Sequence, residues 1–173
     1  RYWILLSLRN NGEIGQARKQ APAIFEPAER SRDRYWRVSV FDINLTLALV
    51  VGDWESARSF SDRAMVLAPL EPRNLLCRVE TEVQAGSFEQ GKVFIERFLE
   101  ALRLTPPGPN LAYAYTACLF PHIARITGIV DQFDIAKEAA NTVITSPTAT
   151  PLGAMYARLG LALAAVQQND KLA

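Results

Sequence analysis

The chain has one histidine, His122, and two cysteines, Cys77 and Cys118. These residue types commonly supply a general base, a nucleophile or a soft metal ligand. Their surroundings argue against each role. His122 follows Pro121 between Phe120 and Ile123. A catalytic base needs a positioned partner and a cleft, and no Ser/His/Asp or Cys/His constellation accompanies it. Both cysteines fall in apolar stretches, where a free thiol behaves as a small buried hydrophobe. With a single histidine in the chain, a zinc site of Cys and His ligands lacks convincing spacing. Gly12-Glu13-Ile14-Gly15 lacks the lysine and the preceding strand of a phosphate loop. The sequence therefore predicts no enzyme, no metal and no cofactor.

Charge narrows the partners. The net charge is +1, without the basic excess of a dedicated nucleic-acid binder. Glu26, Glu29, Arg30, Arg32, Asp33, Arg34 and Arg37 interleave acids with bases, the pattern of a solvated helix face. The longest apolar runs fall well short of the ~20 residues that span a bilayer. Free thiols and the lack of a signal-peptide pattern predict a cytoplasmic protein that binds neither nucleic acid nor membrane. Apolar residues make up 49% of the chain, which argues against disorder and for a packed core.

One pattern recurs along the chain: a turn residue, an aromatic or apolar residue two later, a small residue five later, and an apolar or small residue twelve later. Gly52, Trp54, Ala57 and Ala64 form the clearest copy. Gly86, Phe88, Gly91 and Phe98 form a second, and Gly12, Ile14, Ala17 and Ile24 a third. Asp131, Phe133, Ala136 and Val143 form a fourth, and a fifth begins at Asn169-Asp170. The anchors at 12, 52, 86, 131 and 169 stand 40, 34, 45 and 38 residues apart. Apolar residues spaced by three and four precede the turns, as on one face of a helix. Recurrence predicts that Trp54, Phe88 and Phe133 are core residues between paired helices.

The stretch Phe41 to Pro69 resembles a tetratricopeptide repeat, and the likeness extends unevenly over nearly the whole chain. Arg78 and Glu82 depart from it, standing where that family prefers apolar or small residues; Arg103 stands where proline is common. The run Ile126-Thr127-Gly128, with Ala139 to Pro147, is similar to repeat regions of large bacterial signalling proteins that carry a cyclase or ATPase module. The resemblance implies an all-α fold, a right-handed α-solenoid of antiparallel helix pairs with about nine helices in a single domain over 1–173.

Helices are expected near 1–10, 13–30, 33–51, 53–68, 72–85, 88–104, 110–129, 132–145 and 151–168. Asp53 and Asp131 suit helix starts, and Pro72 and Pro151 suit first helical positions. Pro22 and Pro27 predict a split or kink in the second helix. Pro121 predicts a kink or a start in the seventh.

The family geometry would put Leu6, Arg9, Asn10, Asp42, Thr46, Arg73, Glu80, Gln84 and Arg125 near a concave face. That mixed set lacks the lysines and asparagines with which some members clamp a peptide's terminal carboxylate. The expected function is a non-catalytic scaffold that binds a protein, a peptide or a neighbouring domain; the alternative is a ligand-sensing arm of a regulator. The chain opens at Arg1 inside an apolar run, which reads as a fragment of a longer array. Uncapped apolar ends predict end-to-end self-association or fraying.

Overall fold

A computed structural model describes residues 1–169; Asp170 of the fifth expected copy lies outside the described residues. The described chain is all-helical: α1 (Tyr2–Asn10), α2 (Ile14–Gln20), α3 (Pro22–Arg30), α4 (Arg34–Val50), α5 (Trp54–Leu67), α6 (Pro72–Gln84), α7 (Phe88–Arg103), α8 (Ala112–Thr127), α9 (Gln132–Ile144) and α10 (Pro151–Asn169). The expected second helix is two, α2 and α3, divided at Ala21 with Pro22 opening the later one. Pro27 lies inside α3. Helix α8 runs through Pro121, so a helix start at that proline is excluded.

The turns have a common cause. Gly12, Gly52 and Gly86 adopt φ of 78°, 73° and 76°, a left-handed conformation that glycine enters without a Cβ penalty. At Gly52 the Asp53 N–H donates to Ala48 O at 3.0 Å, and at Gly12 the Glu13 N–H donates to Leu8 O at 2.8 Å. These are the six-to-one bonds that close a helix end. In the fourth copy the left-handed residue is Gly128 (φ 73°), and Asp131 is in the right-handed region without a side-chain capping bond. Asp131 therefore does not end the preceding helix, and its capping role is corrected. Asp53 does cap α5, accepting from Ser56 N at 3.1 Å, and Asp33 caps α4 through Trp36 N at the same length.

The chain forms two compact units, Arg1–Ala85 and Gly86–Ala173. In the first, Leu5, Ala17, Ile24, Ala28, Val40, Ile43 and Leu47 make one buried cluster from α1 to α4. Leu45, Ala48, Leu49 and Ala57 join α4 to α5. Phe25 packs on Phe41 and Phe60, and the Arg63 guanidinium lies over Phe25 and Phe41 at 4.7 and 4.6 Å. In the second, α8, α9 and α10 pack through Ala114, Ala117, Ala139, Ala140, Val143 and Ala157. Helix α7 adds Phe98, 5.9 Å from Phe120.

The small and late positions of the four copies are all buried: Ala17, Ala57, Gly91 and Ala136, then Ile24, Ala64, Phe98 and Val143. The aromatic position is not uniform. Phe133 is 1% exposed and Trp54 half-buried, but Phe88 is 41% exposed, so a shared core role is corrected for Phe88. A small residue is what lets paired helices approach; the residue three earlier lies nearer the turn and can reach solvent. Cys77 and Cys118 are free and half-buried. No described helix is long and apolar enough to cross a membrane.

Candidate functional site

Helices α1, α4 and α6 each follow or precede a Gly-ended turn, and their polar side chains meet in the first unit. Helix α6 starts where Glu71 is extended and Pro72 takes the first helical position, where a missing N–H costs nothing. Arg73 then projects from the first turn. Its Nε donates to Asp42 Oδ1 at 3.1 Å, and its Nη2 lies 2.8 Å from Asp42 Oδ2. This two-point pairing of guanidinium and carboxylate ties α6 to α4. Arg9 of α1 donates from Nη1 to Thr46 Oγ1 of α4 at 3.2 Å, and from Nε and Nη2 to Asn10 Oδ1 at 3.2 and 3.0 Å. Thr46 in turn donates to Ile43 O. Farther along α6, Gln84 Nε2 donates to Glu80 Oε1 at 2.9 Å.

Of the nine residues expected on a binding face, Arg9, Asn10, Asp42, Thr46 and Arg73 thus form two bonded groups on adjoining helices. Glu80 and Gln84 pair on α6. Leu6 is half-buried and packs on the first core cluster. Arg125 is exposed on α8, in the second unit.

Asp42 is 5% exposed. Burial pushes its carboxyl above the ordinary range, and the charges of Arg73 and Arg9 only partly oppose this. Burial likewise raises Cys77, with Asp42 and Glu80 adding to it. A thiol so raised stays protonated at neutral pH and is a poor nucleophile. Burial, then Asp42, raises the Tyr2 hydroxyl. His122 is exposed, and its Nδ1 lies 3.2 Å from Gln167 Nε2. Among the described residues no three His, Cys, Asp or Glu side chains group as a metal site.

The departures from the repeat pattern, Arg78 and Glu82, form a buried ion network with α5. Glu82, 1% exposed, accepts from Arg58 Nε and Nη2 at 3.0 and 2.7 Å and from Arg78 Nε at 2.6 Å. Arg78 Nη1 reaches Asp62 at 2.5 Å. Burial alone would raise the Glu82 carboxyl; hydrogen bonds from Arg58 and Arg78 outweigh it and hold the group below its ordinary value. Each charge is multiply bonded, so two buried ions are tolerated where the repeat pattern asks for apolar side chains.

No protein-family model, no curated protein and no solved structure matches the chain.

Beside the Arg73–Asp42 pair lies a groove of about 310 Å³, over the first turn of α6 and bordered by Tyr2, Arg34, Tyr35, Val38 and Asn74. Sequence reading missed this groove. Asn74 is 1% exposed, and its Nδ2 has no hydrogen-bond partner. The available signal was on α6 itself: Asn74, Arg78 and Glu82 recur every four residues among Leu75, Leu76, Val79 and Val83, a polar stripe on a face that should be apolar.

Proposed function

We propose that this chain is a non-catalytic interaction module of the tetratricopeptide kind, a right-handed α-solenoid in a cytoplasmic regulator. Its partner is a protein, a peptide or a neighbouring domain. The observation that carries this reading is the spacing of the polar ties. Arg9 bonds Thr46 across 37 residues, Asp42 bonds Arg73 across 31, and Glu29 bonds Arg63 across 34. The first two link α1 to α4 and α4 to α6; the third links α3 to α5. Ties of one repeat length therefore join first helices to first helices and second to second, as expected of stacked helix pairs. Side chains of α1, α4 and α6 then share one face, and mixed charges there suit a polar peptide better than a uniformly charged polymer.

Peptides selected from a random library against the chain test this. Asn10→Ala and Gln84→Ala should weaken the selected peptides at least fivefold, whereas Arg18→Ala on α2 should not. Equal losses at all three positions, or none, would overturn the proposal.

A further inference from the structure

We propose that the groove over the start of α6 binds a free α-amino acid with an apolar or aromatic side chain. This goes beyond peptide binding on the helix face, and it rests on three features of one cavity. The first is the Asn74 amide, 1% exposed with Nδ2 unpartnered. A buried donor without an acceptor is costly, and an oxygen entering the groove would satisfy it. The second is charge. Arg34, Arg73, Asp42 and Glu71 all border the groove. Arg73 and Asp42 neutralise each other. Arg34 and Glu71 are exposed, and no ion pair engages either among the described residues. One base and one acid remain, the complement of a zwitterion. The third is size and lining: about 310 Å³, walled by Tyr2, Tyr35 and Val38, lies at the lower end of small-ligand cavities.

The amino acid's carboxylate accepts from Asn74 Nδ2 and pairs with Arg34. Its ammonium pairs with Glu71. Its side chain covers the Tyr2 and Tyr35 rings, and Tyr35, 82% exposed, loses solvent contact. The positive end of the α6 dipole adds to the attraction for the carboxylate.

Calorimetric titration of the chain with L-phenylalanine and L-leucine tests the assignment, with N-acetyl-L-phenylalanine, L-phenylalaninamide and doubly blocked N-acetyl-L-phenylalaninamide as controls. Saturable binding of the free amino acids is expected in the micromolar-to-millimolar range, with each singly blocked compound at least tenfold weaker. Arg34→Gln should weaken phenylalanine tenfold yet leave phenylalaninamide unchanged; Glu71→Gln should likewise weaken phenylalanine tenfold yet leave the acetylated compound unchanged. Both residues are exposed, so the fold survives either change. Asn74→Leu should abolish binding without lowering the melting temperature, because it removes an unsatisfied buried donor. No binding of either amino acid at millimolar concentration would overturn the proposal, as would equal binding of the doubly blocked compound or insensitivity to Arg34→Gln.

Discussion

Arg73 grips Asp42 at both carboxylate oxygens, 3.1 Å from Nε to Oδ1 and 2.8 Å from Nη2 to Oδ2, and so joins α6 to α4. The pair is unequal. Asp42 is buried, whereas the Arg73 side chain is 42% exposed. Removing the arginine leaves a buried carboxylate behind, so Arg73→Ala should cost about 3 kcal/mol at neutral pH, the low end for a broken buried pair. Urea melts should show it.

The same pair predicts a pH dependence. Asp42 has a folded-state pKa raised by burial, above an unfolded value of about 3.9. Between these values the folded chain binds the proton more tightly than the unfolded chain. This group's contribution is fully present below the unfolded pKa and is lost as pH rises through the folded one. Asp42→Asn should remove that component of the slope, and Arg73→Ala should extend it to higher pH. Melting curves from pH 3 upward, compared between variants, would reveal an unchanged slope if Asp42 did not titrate this way.

Glu82 behaves with the opposite sign. Its carboxyl is held below the ordinary value by Arg58 and Arg78, so its contribution is present above the unfolded pKa and lost as pH falls through the folded one. Glu82→Ala removes the buried acceptor shared by Arg58 and Arg78, leaving Arg78 its bond to Asp62, and should destabilise by about 3–5 kcal/mol. The double change Arg78→Met with Glu82→Leu should recover most of that loss. A double variant no more stable than Glu82→Ala would show that packing rather than charge governs the site.

Sequence pattern reached the helices and the small-residue positions because both follow from periodicity. Ala17, Ala57, Gly91 and Ala136 are buried as spacing required. Arg9, Asp42, Thr46 and Arg73, named together through the resemblance, lie in bonded pairs on adjoining helices. Sequence pattern failed at Phe88, because a hydrophobic residue beside a turn can face water at modest cost. It also failed at Arg78, Glu82 and Asn74. Buried polar groups are satisfied by partners distant in sequence, as Glu82 is by Arg58, and no local window contains both. Asp131 misled because a capping residue type is not a capping bond.

Close helix approach in the second unit gives a further prediction. Pro121 has no N–H for the carbonyl of Ala117, four residues earlier, and Gly160 of α10 sits against that carbonyl. A Cβ at Gly160 would lie 2.4 Å from Ala117 O. Gly160→Ala should therefore destabilise by roughly 1–3 kcal/mol or more. Gly15→Ala on α2, where a Cβ meets nothing within 4 Å, should instead stabilise by about 0.5–1 kcal/mol. Thermal melts of the two variants should shift in opposite directions; a Gly160→Ala chain as stable as the parent would contradict the close contact.

The aromatic positions should rank by burial. Phe133→Ala should cost about 3–5 kcal/mol, Trp54→Ala less, and Phe88→Ala the least. Denaturant midpoints in any other order would show that the three sites differ in something besides exposure.

The most direct test of the central claim is site-specific photo-crosslinking in cells that express the protein. A photoreactive side chain at Asn10 or Gln84, both exposed, reports the face proposed for α1, α4 and α6; one at Arg18 or Glu55 reports α2 and α5. The account predicts discrete adducts from the first two positions and none from the second two. Adducts of equal yield from all four positions, or adducts confined to Arg18 and Glu55, would contradict it.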